Sequence, residues 1–311
     1  MYTSILVPLD GSANAEWALP PAISIARATG AAISLITVQV PIPVLAAGMS
    51  VLPPTEPIIE ASDSSDYLRH TADRIAAEGV SAVTLGVVEP SALVLATIGG
   101  EIAHRAEVMG AGLIVMTTHA RSAVPRMFLG SVANDVVRHS QIPVLMIRPD
   151  GEETPDLHST VGFREVLIAL DGSTFSEEVL ADAVELGRLS GARFTLLTVL
   201  EPPHLYAAPV EIAVVPVEDV AWDELKRNAQ TYSDGIAEKL RKRDLQVTTM
   251  FIEDAGPAEA IVRAARETGA DLIAMTTHAR TAVATLFLGS VANQVLRTSH
   301  VPVLLYRPRE A

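Results

Sequence analysis

A nineteen-residue stretch occurs twice in this chain. Met116-Thr-Thr-His-Ala-Arg-Ser-Ala-Val-Pro-Arg-Met-Phe-Leu-Gly-Ser-Val-Ala-Asn134 returns, without gaps and with most positions identical, as Met275-Thr-Thr-His-Ala-Arg-Thr-Ala-Val-Ala-Thr-Leu-Phe-Leu-Gly-Ser-Val-Ala-Asn293. Such a repeat divides the 311 residues into two similar halves, each of ordinary domain size. Whatever architecture one half adopts, the other is expected to adopt as well.

Each copy follows a short apolar run, Leu113-Ile-Val-Met116 or Leu272-Ile-Ala-Met275. Without polar alternation these runs predict fully buried strands. At the far end, Gly130-Ser131 and Gly289-Ser290 open an amphipathic segment, with the serine expected as its N-cap. The motif therefore reads strand, exposed loop, helix N-terminus, an order that can present backbone N–H groups to an anion.

The remaining elements pair in the same sequence. Ile5-Leu-Val-Pro-Leu9 with Asp10-Gly11-Ser12 corresponds to Val166-Leu-Ile-Ala-Leu170 with Asp171-Gly172-Ser173, at an offset of 161 residues against 159 for the main motif. Helices are expected over 14–29 and 176–190, closed by Gly30 and Gly191, with Pro20 and Pro21 kinking the first or delaying its start. Second strands are expected over 32–38 and 194–200, and third strands over 80–88 and 246–253. Further helices are expected over 66–78 and 222–243, 91–109 and 257–268, and 132–138 and 291–298. Each half ends in a strand, Ile142-Pro-Val-Leu-Met-Ile147 or Val301-Pro-Val-Leu-Leu-Tyr306, whose second residue is proline, so a sheet edge is expected there. The least similar segments, 39–66 and 201–220, are rich in proline and small apolar residues and read as long crossover loops.

Alternating strands and helices predict an α/β fold with a doubly wound parallel sheet in each half. Strands one and four are then neighbours, and ligands sit at their carboxyl ends. The expected division is a domain over 1–149, a solvated linker over 150–163, and a second domain over 164–311.

Composition removes several classes of function. A hydrophobic fraction of 49% with 19% charged residues describes a globular α/β chain with a large core. The net charge is −14 and the only lysines are Lys226, Lys239 and Lys242, so neither a nucleic acid nor an anionic membrane is an expected partner. No cysteine is present, which removes disulfides and thiolate metal sites and accords with a cytoplasmic setting. The first ten residues lack a basic leader and read as a strand, and the apolar stretch 38–59 is interrupted by Pro41, Pro43, Pro53, Pro54 and Pro57.

Ile-Leu-Val-Pro-Leu-Asp-Gly-Ser at the start, the strand–loop–Gly-Ser-Val-Ala block and the Pro-Val-Leu ending together resemble the universal stress protein family, here as two domains in tandem. The resemblance covers nearly the whole chain apart from the linker and the proline-rich loops. It implies a five-stranded parallel, Rossmann-like sheet in each domain and an intramolecular pseudo-twofold pairing through the last strands, with a homodimer of tandems as a further assembly. It also implies a stress-response role and, as in many family members, binding of ATP through a loop of Gly-x-x-Gly, nine residues, then Gly-Ser or Gly-Thr. Carried onto this chain, the first glycine falls on Thr117 and Thr276, the second on Ala120 and Ala279, and the last pair on Gly130-Ser131 and Gly289-Ser290. A β-branched threonine forced into a glycine conformation costs about 1–3 kcal/mol, so the phosphate side is expected to be degenerate.

The adenine side keeps its residue types: Asp10 and Asp171 toward base or ribose, Val38 and Val199 beside the base, and Met116, Met275, Val132 and Val291 flanking the loop ends. Mg²⁺ would enter only with a nucleotide. His119 and His278 lie in the loops, where ordering hydrogen bonds are the simpler reading beside a phosphate-sensing one. For Asp10 and Asp171 the simpler reading is a carboxylate that caps the next turn, and for Gly-Ser a plain helix start. The other histidines show no metal-ligand spacing. Neither a Walker Gly-Lys-Ser/Thr, a Gly-x-Gly-x-x-Gly nor a Gly-x-Ser-x-Gly motif is present, so catalysis has little to stand on. Three readings stay open: a module with degenerate adenine-nucleotide sites, a nucleotide-independent scaffold capturing a protein partner through its apolar loops, and a slow nucleotide hydrolase.

Overall fold

The computed structural model describes residues 2–38, 61–80, 83–88, 97–118, 130–149, 153–202, 219–277 and 288–308. Most of the two crossover segments and of the two motif loops lie outside them, including the positions of His119, Ala120, His278 and Ala279. One compact unit is built mainly from residues 1–162, the other mainly from 163–285 and 289–303.

In the first unit β1 (Ser4–Pro8), β2 (Ala32–Val38), β3 (Val83–Val88), β4 (Leu113–Thr117) and β5 (Val144–Ile147) are parallel, in the order β3-β2-β1-β4-β5. The order reverses between β1 and β4, the two strands expected as neighbours in a doubly wound sheet. In the second half of the chain β6 (Glu165–Ala169), β7 (Arg193–Leu200), β8 (Gln246–Glu253) and β9 (Leu272–Thr276) repeat it as β9-β6-β7-β8, and β10 (Val303–Tyr306) is the last strand in sequence. Ile5, Leu6 and Val7 are fully buried, as are Leu113, Ile114 and Val115. Strands with both faces covered have no polar side to alternate with, hence their uniform hydrophobicity.

The final-strand prolines sit one residue before β5 and β10, and not inside them. Their missing donor therefore costs no ladder bond, while their carbonyls are used: Ile114 N–H donates to Pro143 O at 3.0 Å and Ile273 N–H to Pro302 O at 3.1 Å.

Helices α1 (Ala13–Glu16), α2 (Leu19–Thr29), α3 (Ala61–Ala77), α4 (Ile98–Val108) and α5 (Ser131–His139) belong to the first half. Helices α6 (Thr174–Glu177), α7 (Leu180–Arg188), α8 (Asp219–Arg241), α9 (Pro257–Thr268) and α10 (Ser290–Thr298) belong to the second. The single helix expected after the first strand is thus two helices in each half. Pro20 and Pro21 sit in the first turn of α2, where a missing N–H is harmless. Yet the second half, with Ala181 and Asp182 at those places, breaks at the same point. The interruption belongs to the fold and not to the prolines.

The segment expected as a solvated linker is partly packed. Pro155 and Leu157 are buried, Trp17 Nε1 donates to Glu153 O at 3.1 Å, and Val161 N–H donates to Ser24 Oγ at 2.9 Å. No helix among the described residues is long and apolar enough to cross a membrane.

Candidate functional site

The carboxyl ends of β1, β2 and β4 meet at one end of the first sheet. Leu9 N–H donates to Ile36 O at 2.8 Å and Thr37 Oγ1 to Leu9 O at 2.9 Å, which fixes the exit of β1 against the end of β2. The chain then turns through Gly11 at φ 82° and, in the second half, Gly172 at φ 84°, a conformation that favours glycine. Asp10 Oδ1 accepts from Ser12 N–H at 3.0 Å and from Ser12 Oγ at 2.6 Å, and Ser12 Oγ in turn accepts from Ala15 N–H at 3.2 Å as the N-cap of α1. Asp171, Ser173 and Ser176 reproduce this at 2.9, 2.6 and 3.2 Å for α6. One oxygen of each aspartate is therefore committed to the turn, which is the capping role in part.

At the neighbouring strand, Thr117 and Thr276 are the last strand residues, and Thr117 pairs in register with Ile147. Both are buried, as are Met116 and Met275. Among the described residues the only non-glycine with positive φ is Asp244, so neither threonine is strained and the anticipated penalty does not arise at these two places.

The motif loop is closed at its neck. Thr118 N–H donates to Ile147 O, Gly130 N–H to Thr118 O and Gly289 N–H to Thr277 O, each at 2.9 Å. Gly130 and Gly289, at φ −57° and −52°, are the N-caps of α5 and α10. Ser131 and Ser290 are the first helical residues, which corrects their expected place as caps; neither helix has a side-chain cap. Their φ values suit any residue, so Gly289 is needed for closeness: a Cβ there would lie 2.6 Å from Thr277 O. The first-turn N–H groups of Ser131 and Val132, ahead of the Asn134 N–H bond to Gly130 O at 3.0 Å, carry the positive end of the helix without a capping oxygen. Val132 and Val291 are half-buried beside them, and Val38 and Val199 are half-buried at the ends of β2 and β7.

The structure adds a cluster that the sequence reading does not contain. Glu16, at the end of α1, is 5% exposed and accepts from Tyr67 Oη of α3 at 3.1 Å and from Arg74 Nη1 at 2.8 Å. Glu177, at the end of α6, accepts from Tyr232 Oη of α8 at 3.0 Å. Both tyrosines are held protonated far above their ordinary value, first by burial and then by the adjacent glutamate. The signal was present but shifted: the glutamates are 161 residues apart and the tyrosines 165, so the pairing shows only when a gap is allowed in the crossover segment. Among the described residues no group of three His, Asp or Glu side chains is placed to hold a metal ion.

Two matches to the model of the universal stress protein family cover residues 1–148 and 162–307. A universal stress protein of Mycobacterium tuberculosis is 30% identical over 212 residues, a stretch that covers 67% of this chain and only 64% of that relative's length. Another, from Thermus aquaticus, is 35% identical over 150 residues, covering 47% of this chain and 99% of the relative. Among solved structures, a universal stress protein from Archaeoglobus fulgidus superposes with a TM-score of 0.66 at 20% identity, over 99% of this chain and 97% of that one. A protein of unknown function from Pseudomonas aeruginosa gives 0.67 at 17%, over 99% and 93%. These two likenesses speak to the fold; with both halves matched by the family model, the chain belongs to the universal stress protein family, as a tandem of two of its domains.

Proposed function

We propose that the chain is a cytoplasmic stress-response binding or signalling module in which each domain offers an adenine-nucleotide site, ATP first among the candidates, with a reduced phosphate side. The observation that carries this reading is a pairing present twice: an aspartate turn after one strand, and an uncapped helix N-terminus after its neighbour. In the first domain Asp10 and Val38 serve the base and ribose, Met116, Thr117, His119 and Ala120 belong to the site as the strand end and first residues of the motif, and Gly130, Ser131 and Val132 meet the phosphates. In the second, Asp171 and Val199, then Met275, Thr276, His278 and Ala279, then Gly289, Ser290 and Val291 take the same roles. Mg²⁺ accompanies the nucleotide through its phosphates.

Without the two loop glycines, fewer backbone N–H groups reach the phosphates, and Kd values of roughly 10 µM to 1 mM are expected. The test is calorimetric titration of nucleotide-stripped protein with ATP, ADP and AMP, with and without Mg²⁺. Saturable binding that disappears in Asp10→Ala/Asp171→Ala supports the reading. No heat and no thermal stabilisation up to millimolar ligand overturns it.

A further inference from the structure

The helices that follow the two aspartate turns are each four residues long. A single turn of helix cannot hold itself, because nucleation fixes several residues for one hydrogen bond. What fixes α1 and α6 must therefore come from elsewhere in the domain. In both halves part of it comes from the same source, a tyrosine hydroxyl on the helix that follows the crossover segment, bonded to the glutamate that ends the one-turn helix. Tyr232 Oη also lies 3.5 Å from the carbonyl of Ser173, the N-cap whose hydroxyl Asp171 holds.

We propose that Tyr67 and Tyr232 are positioning residues for the two ligand sites: through Glu16 and Glu177 they hold the one-turn helices, and with them the Asp10 and Asp171 turns, in the geometry that receives the ligand. This rests on the nucleotide reading above for its ligand and on the hydrogen bonds alone for the brace. Neither hydroxyl needs to touch the ligand. Burial and the adjacent carboxylate keep both tyrosines protonated, so each donates throughout the ordinary pH range.

The two braces are not equal. Glu16 is held by Arg74 as well, whereas among the described residues Glu177 has Tyr232 as its only side-chain partner. Removing the hydroxyl should therefore loosen the second turn more than the first.

The experiment uses the full chain with Tyr67→Phe and Tyr232→Phe, singly and together, since phenylalanine keeps the ring and removes only the donor. Three quantities are read: nucleotide affinity, melting temperature, and amide exchange at Ser12, Ala15, Ser173 and Ser176, the donors of the two turns. The expected result is a roughly 2- to 10-fold weaker Kd confined to the domain that carries the change. Faster exchange at that domain's turn and a larger effect for Tyr232→Phe should accompany it. A residue that merely stabilises the fold would lower the melting temperature and leave the Kd of the folded protein unchanged, and that result overturns the proposal. So does unchanged exchange at all four amides. If the wild-type chain binds no adenine nucleotide, the functional reading fails and takes the affinity half of the inference with it, while the exchange data still decide whether the brace exists.

Discussion

In the first domain a place on α2 and the facing place on β2 are held by Ala26 and Ile33; in the second, the same two places on α7 and β7 are held by Gly187 and Phe194. All four are buried, with Ile33 at 0% and Phe194 at 1%. A Cβ built on Gly187 would lie 2.6 Å from Phe194 Cζ and 3.0 Å from Ala192 Cβ. Gly187 thus leaves room on α7 for the Phe194 ring, while the first domain carries a methyl and a smaller strand side chain at the two corresponding places. Volume at such a contact is conserved even where neither residue is.

Mixing the two packing solutions within one domain is expected to cost the most. Gly187→Ala should destabilise the second domain by about 1–3 kcal/mol, measured by urea unfolding of the full chain. Adding Phe194→Ile, which copies the first domain's pair, should restore most of that loss, so the two changes are expected to be strongly non-additive. A neutral Gly187→Ala would mean that the ring moves aside freely and that the pair is not a packing unit.

The buried glutamates give a second comparison. Arg74 is paired to Glu16 across α1 and α3, while the corresponding Lys239 on α8 is exposed and has no ion pair among the described residues. Arg74→Met leaves a carboxylate that is 6% exposed with one partner fewer, and a loss of about 1–2 kcal/mol is expected, reduced from the fully buried case because the arginine is partly solvated. Lys239→Met should stay within about 0.5 kcal/mol. Equal losses at the two positions would show that the arginine contributes nothing specific to the first brace.

Alkaline pH acts on both braces. Each tyrosine's folded-state value is raised above the unfolded value of 10.0, first by burial and then by its glutamate. The folded chain thus holds the phenolic proton more tightly than the unfolded chain does. Stability from this source is complete below pH 10 and is lost as pH rises beyond it. Unfolding followed from pH 9 to 11 should show a steeper fall for the wild type than for Tyr67→Phe/Tyr232→Phe. Parallel curves would place the alkaline sensitivity elsewhere.

The repeat made the strand order legible, because one pattern found twice, at offsets of 161 and 159 residues, leaves little freedom for the elements between. The neighbouring of β1 and β4, with Asp10 just past the end of the first, agrees with the doubly wound reading, and the fourth strand runs one residue further than its apolar run, to Thr117. Three features were not legible, each for a physical reason. Pro20 and Pro21 offer a local cause for a kink or a late start in the first helix, while the break's recurrence between α6 and α7 shows a tertiary one. Ser131 and Ser290 read as caps because serine so often is one, but the close approach to the Thr277 carbonyl demands glycine as the cap at position 289. Tyr67 and Glu16 are 51 residues apart, and no short-range pattern announces such a bond.

The smallest effect concerns the segment between the domains. Ser24 Oγ accepts from Val161 N–H at 2.9 Å and Trp17 donates to Glu153, while His158 Nδ1 lies 2.7 Å from Glu78, whose side chain is 7% exposed and also pairs with Arg27. The corresponding residues of the second domain are Glu178 in place of Trp17 and Glu185 in place of Ser24, so the two side chains that seat the segment on the first domain are not repeated there. Ser24→Ala removes an acceptor from a half-buried N–H and should cost about 0.5–1.5 kcal/mol, with faster amide exchange at Val161. His158→Ala should cost less than about 0.5 kcal/mol, because the histidine is 83% exposed and solvent screens its attraction to Glu78. In a Trp222→Phe background, Trp17 becomes the sole tryptophan, and its emission should shift when Ser24→Ala loosens the segment but not in His158→Ala. If Val161 already exchanges in the wild type as fast as an unfolded amide, the segment is a free tether, and the two domains differ there only in sequence.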